Sequence, residues 1–250
     1  MKIKIRSKKI KDKFIYGDLL ENKKAQSIVI FLSGFSGSGD STLFKKSSKF
    51  FFKNGFSTIR FNVCNDNESR KQKDAIKPEE ITLSIYREEL KSIIDVFGKK
   101  YSRIILIGHS FGAVVSILFL AKYKKYRKST ELILWEPTLL PWKKKWMQED
   151  FYFDKKKKLY LAKHSNEVMN RTFYNECINI KNTALVFKLL NKRICILAGT
   201  NIGKKNAKEY FSKIRNKGDS KILMMSGGGH SFEGENHRNK LFNETVRFLG

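Results

Sequence analysis

Apolar residues fall along this chain in short continuous runs, separated by stretches with helical spacing. The runs "SIVIFLSG" (27–34), "GFSTIRFNV" (55–63), "RIILI" (103–107), "TELILWEP" (130–137), "KRICILAG" (192–199) and "SKILMMSGGGH" (220–230) are rich in β-branched and aliphatic residues. Each ends in glycine, proline or a polar cluster, or leads into one, as strands buried on both faces do. Residues 2–7 and 14–20 instead alternate apolar and polar, which predicts a two-stranded hairpin. Between the runs, residues 42–52, 79–101, 111–123, 207–214 and 237–249 read as helices. The second of these carries Ile81, Ile85, Leu90, Ile93, Ile94 and Phe97 on or near one face. Residues 64–80 read as a polar connection around that helix's start. Strands alternating with helices specify βαβ units, and so an α/β fold. The expected fold is a mostly parallel central sheet with an antiparallel opening hairpin and helices on both faces. Residues 139–190 give no strand signal and read as a small cap inserted into a single domain spanning 1–250.

The segments with chemical potential sit where such a fold places ligands, beyond the carboxyl ends of the strands. They are 33–41, 108–112 and 227–234. In the second, Gly108-His109-Ser110-Phe111-Gly112 follows a strand and opens a helix, the context that the G-x-S-x-G turn requires. Two small residues let the backbone turn sharply. The Ser110 hydroxyl then sits at a helix N-terminus, where free N–H groups and the helix dipole favour developing negative charge. A serine nucleophile needs a base. His109 lies inside the turn and would point away, His164 lies in the cap segment, and His237 opens the last helix. His230, after three glycines in "SGGGHSFEG", can reach the Ser110 hydroxyl from a loop.

Charge and composition add less. The formal net charge is +27, carried mostly by lysine and spread along the chain. No nucleic-acid motif accompanies it, so it predicts no specific nucleic-acid partner, only weak charge-driven contact with anionic surfaces. Cys64, Cys177 and Cys195 are an odd number without metal-ligand spacing. "GFSGSGDST" lacks the Gly-Lys ending of a phosphate-binding loop. No metal or cofactor is therefore expected. The opening "MKIKIRSKKI" has no apolar signal region, and no apolar stretch approaches the ~20 residues of a membrane helix. These point to a cytoplasmic protein. The cap segment is aromatic (Trp142, Trp146, Phe151, Tyr152, Phe153, Tyr160 and Phe173), and Trp135 lies in the strand before it. Those rings either line an acyl pocket or pack the cap onto the sheet. "LLPWKKKW" reads as a solvated basic face.

Four stretches in order, "IVIFLSGFSGSGDS", "GFSTIRFNV", "IGHSFGA" and "GGGHSFEG", make the chain resemble the α/β-hydrolase superfamily. Within it, the short-capped serine esterases and aminopeptidase-like acyl-ester hydrolases are the most similar. The resemblance implies an oxyanion hole made by the backbone N–H groups of Phe111 and of Phe35, in "SGF", where relatives often have His-Gly in place of Ser33-Gly34. It also implies an acid after the strand ending "ILAGTNIG", but Ile202 stands where that aspartate would be. The candidates are Asn201, the nearest polar residue, and Glu136, one strand earlier. Asp219 is at the wrong end of the sheet, and the absence of an acid stays open. The implied reaction is hydrolysis of a small or medium carboxylic ester or thioester through an acyl-enzyme on Ser110. An acyltransferase, a peptidase and a decayed, non-catalytic binding protein are the alternatives.

Overall fold

A computed structural model of the chain describes residues 1–62, 72–188, 190, 192–214 and 217–250. Its main sheet has eight strands: β1 (Lys2–Arg6), β2 (Phe14–Leu20), β3 (Ser27–Leu32), β4 (Ser57–Asn62), β5 (Arg103–His109), β6 (Thr130–Trp135), β10 (Ile194–Ala198) and β11 (Lys221–Met224). They lie in the order β1-β2-β4-β3-β5-β6-β10-β11. β1 and β2 form the expected antiparallel hairpin, β2 runs antiparallel to β4, and the remaining pairs are parallel.

The central strands carry uninterrupted apolar runs, Ile28–Leu32, Ile104–Ile107 and Leu132–Trp135, because both faces of the sheet are covered. Ile28, Ile30 and Leu32 of β3, with Leu106 of β5 and Leu132 and Leu134 of β6, join the core on one side. Helices α2 (Leu83–Phe97) and α3 (Phe111–Lys122) pack there. Val29, Phe31, Ile105, Ile107, Ile133 and Trp135 face the other side with α1 (Thr42–Lys53) and α8 (Glu235–Leu249). Each fully buried side chain of this size stabilises by about 1.5–3 kcal/mol over its exposed state. Every residue of α3 from Phe111 to Leu120 is buried, so this helix has no polar face and runs through the core. Trp135 Nε1 donates to Thr245 Oγ1 at 3.1 Å and ties β6 to α8.

Register places the functional ends together. Leu32 pairs with Gly108, His109 with Trp135, and Trp135 with Leu197. The residues that follow β3, β5, β6 and β10 therefore emerge side by side along one edge.

The segment between β6 and β10 departs from expectation. It carries the helices α4 (Lys144–Asp150), α5 (Arg171–Asn179) and α6 (Thr183–Lys188). It also forms a second, antiparallel sheet of β7 (Phe151–Asp154), β8 (Leu159–Ala162) and β9 (Val168–Asn170). These strands are three or four residues long, too short for an alternating pattern to register. Further corrections are local. Helix α7 (Asn201–Ser212) begins six residues before the expected 207, because Thr200 Oγ1 caps it by accepting from Gly203 N at 2.9 Å. β11 ends at Met224, before the glycine run. Val63 and Cys64 lie outside the described residues. Cys177 and Cys195 are unpaired and buried, and burial pushes the Cys195 thiol up to about 12. Among the described residues no helix is long and apolar enough to cross a membrane.

Candidate active site

Ser110 follows β5 with φ 53° and ψ −118°, a conformation costly for any residue with a Cβ. The surrounding backbone over-determines it. Ser110 N donates to Trp135 O at 2.9 Å, and Ser110 O accepts from Ala113 N at 3.1 Å and Thr138 N at 3.2 Å. The two glycines of the turn are required by close approach. A Cβ on Gly108 would stand 2.6 Å from the Ala113 backbone, and one on Gly112 would overlap the Leu32 carbonyl and stand 2.7 Å from Ser33 O. Six non-glycine residues among those described have positive φ, and four of them surround this point: Ser36, Ser110, Glu136 and Phe232. Strain of this kind costs roughly 1–3 kcal/mol per residue and concentrates at functional sites.

The loop after β3 passes directly over the serine. A Cβ on Gly34 would lie 3.0 Å from Ser110 Cβ and 3.3 Å from its Oγ. Phe35 therefore follows a residue in contact with the serine side chain, and its ring packs edge-on against Phe111 at 6.2 Å. Phe111 opens α3, so its N–H belongs to the first turn, which has no intrahelical acceptor.

His230 lies on the turn after β11 and lines one cleft of about 320 Å³ with Ser110, Gly34, Phe35 and His109. Its ring is exposed and makes no hydrogen bond to Ser110 Oγ. The hydroxyl instead stands 3.2 Å from Thr138 Oγ1. Catalytic hydrogen bonds are often loose without substrate. His109, inside the turn, has a task of its own. Its Nε2 lies 2.8 Å from His230 O, and the two rings stand 4.9 Å apart. Burial, then the nearby His230 charge, lowers the His109 pKa to about 4, against a raising effect of the bond to His230 O. The ring is thus neutral near pH 7, and its Nε2–H donates to the His230 backbone.

The two acid candidates separate clearly. Glu136, at the end of β6, is 2% exposed. Its carboxylate accepts Gly199 N at 2.6 Å and Thr200 N at 3.2 Å, and also bonds the Thr200 hydroxyl. It reaches the histidine loop indirectly, because a Cβ on Gly199 would stand 2.7 Å from Gly229 O. Asn201 is exposed on the first turn of α7, in a shallow groove with Lys204, Lys205 and Lys208, apart from Ser110 and His230. Neither side chain bonds the His230 ring. Asp219 precedes β11, at the opposite end of the sheet from the serine.

Sequence reasoning missed Thr138, the anchoring task of His109 and one cap residue, Glu167. Thr138 had a signal, since the end of the strand beside β5 must flank the turn. Glu167 had none. It sits on the turn between β8 and β9, bonds the Ser36 hydroxyl and lines the same cleft. Among the described residues no group of three or more His, Cys, Asp or Glu side chains could hold a metal.

Comparison with known proteins bears on the fold. Residues 27–240 match the family model described as "alpha/beta hydrolase fold". No curated protein matches in sequence. Among solved structures, Est1E from Butyrivibrio proteoclasticus with bound ferulic acid superposes with a TM-score of 0.79 at 15% identity, covering 99% of this chain and 97% of that one. The alpha/beta hydrolase GrgF from Penicillium sp. sh18 gives 0.75 at 12% identity, over 100% and 97% of the two chains. Alpha/beta hydrolase domain-containing protein 10 from mouse gives 0.70 at 14% identity, over 100% of each.

Proposed function

Because the chain belongs to the α/β-hydrolase fold family, we propose that it is a serine hydrolase acting on a small or medium carboxylic ester or thioester. The observation that carries this is the strained Ser110, held against Gly34 on one side and sharing a cleft with His230 on the other. Ser110 Oγ attacks the acyl carbonyl while His230 takes its proton. The N–H groups of Phe35 and Phe111 receive the oxyanion, each worth about 3–4 kcal/mol in the transition state. His230 then protonates the leaving alcohol or thiol. Water, activated by the same histidine, frees the acid from Ser110. Glu136 acts here as a positioning residue, through the Gly199–Thr200 turn that packs against the histidine loop.

A second reading has one observation in its favour. Among the described residues no carboxylate bonds the His230 ring, and the Glu136 carboxylate is committed to backbone N–H groups. Loss of the orienting acid costs ~10⁴-fold in rate, so a binding protein that has lost turnover fits that feature. A fluorophosphonate probe with intact-mass readout decides between the two. The serine-hydrolase reading expects one adduct on the native protein and none on Ser110→Ala. Equal behaviour of the two proteins removes it.

A further inference from the structure

The rings of the cap do not line the cleft beside Ser110. Trp142, Phe151 and Phe173 converge on Phe35, with centroids 5.4–6.4 Å away, and Trp142 and Phe173 also reach Phe111. They fill the space beneath the cap where a long acyl chain would otherwise run. The cleft is lined on one side by Phe35, Leu43 and Phe44 and on the other by the hydroxyl-bearing Ser36, Ser38, Ser41 and Ser231, with Glu167 reaching in from the cap. Its volume of about 320 Å³ is at the lower end of the ~300–1,000 Å³ range of small-molecule sites. The Glu167 carboxyl bonds the Ser36 hydroxyl, and a carboxylate can accept several hydrogen bonds at once. A larger groove of about 600 Å³ adjoins on the outer side of Glu167, lined by Tyr152, Ser165 and Asn166 as well as Leu161 and Val168.

On the serine-hydrolase reading, we infer that the site takes a short acyl group carried on a polyhydroxylated alcohol, a polyol or sugar, whose hydroxyls donate to Glu167. In the reaction, the bond from Ser110 Oγ to the acyl carbon forms as the ester bond to the polyol breaks. The polyol leaves with the proton held by His230. Water then releases the short acid and returns the proton, and no other reactant is needed. A long acyl chain finds no apolar channel under the cap, where Trp142, Phe151 and Phe173 pack on Phe35. A plain alkyl alcohol leaves Glu167 and the neighbouring hydroxyls without the partners they would exchange for water.

The test compares kcat/KM for glyceryl monoacetate, propyl acetate and glyceryl monooctanoate, using native protein, Glu167→Leu and Glu167→Gln. Glyceryl monoacetate and propyl acetate differ by two hydroxyls, and one hydrogen bond to a charged group is worth about tenfold or more. Native protein is expected to favour glyceryl monoacetate over propyl acetate by at least about tenfold, and over the octanoate. Glu167→Leu should collapse the first ratio, and Glu167→Gln, which keeps an acceptor oxygen, should retain part of it. Circular dichroism confirms that the variants fold. Preference for propyl acetate or the octanoate, or a ratio unmoved in Glu167→Leu, overturns the inference. If Ser110 takes the probe yet no ester is cleaved, it falls as well, while the reactive serine stands. If Ser110 takes no probe, the underlying reading fails first.

Discussion

Between Gly108 and Gly112 nearly every backbone group has a neighbour that fixes it, whereas between Phe151 and Asn170 the chain forms three short strands with turns reaching into solvent. The turn carrying Ser110 lies against Leu32, Ser33, Trp135 and Thr138. Its flanking strand is buried from Ile104 to His109. In the cap hairpin, Tyr152 and Phe153 are 49% and 39% exposed, and no residue of β8 is fully buried. One region holds reacting groups in a costly geometry and needs many contacts to do so. The other brings a single side chain, Glu167, to the cleft and tolerates variation elsewhere. Equal chemical insults should therefore have very unequal effects in the two places.

The largest effect belongs to Gly112→Ala. Its added methyl meets main-chain atoms of Leu32 and Ser33, which cannot rotate aside as a side chain could. A stability loss of more than ~3 kcal/mol is expected, together with loss of the fluorophosphonate adduct. Urea denaturation with probe labelling measures both. A variant as stable as the native protein would show that the elbow is not rigidly packed.

Next comes pH, acting through His109. Its folded-state pKa, about 4, lies below its ordinary 6.5. Below about pH 6.5 the unfolded chain takes up a proton that the folded chain refuses. This contribution to stability is therefore complete above pH 6.5 and is lost as pH falls toward 4, by up to ~3 kcal/mol. His109→Gln, which keeps a donor for His230 O, should flatten that part of the stability profile between pH 7 and 4.5. An unchanged slope would assign the acid sensitivity to other groups. Glu89 is one control with the opposite sign. It is buried, its Oε2 has no hydrogen-bond partner among the described residues, and burial raises its pKa, so its ionisation opposes folding as pH rises.

The same contrast explains what could be read from the chain. The central strands announce themselves because burial on both faces demands uninterrupted apolar runs. Gly108–Gly112 announces itself because backbone contact excludes any other residue at its two ends. The cap sheet stayed hidden since "FYFD" and "LYLA" are too short to show a period. Glu136 was legible as a candidate but not in its task. The direction of its carboxylate follows from φ 46° at that residue and from β10 lying alongside, and neither is written in "LILWEP". Glu167 was illegible because only the folding of the cap onto the β3 loop joins it to Ser36.

The smallest effect should come from Tyr152→Ser. Tyr152 is on β7, an edge strand of the cap, and its ring is half exposed, so its removal opens no cavity. Its main-chain pairing with Leu161 does not depend on the side chain, and serine's weaker strand preference bears on an edge of only four residues. A change within about 0.5 kcal/mol is expected, with the rate of fluorophosphonate labelling unaltered. Denaturation midpoints for this variant and for Gly112→Ala, taken side by side, give the contrast its sharpest measure. A loss above ~1.5 kcal/mol at Tyr152 would mean that the cap hairpin contributes to the stability of the whole fold. The division between a rigid elbow and a permissive cap would then have to be abandoned.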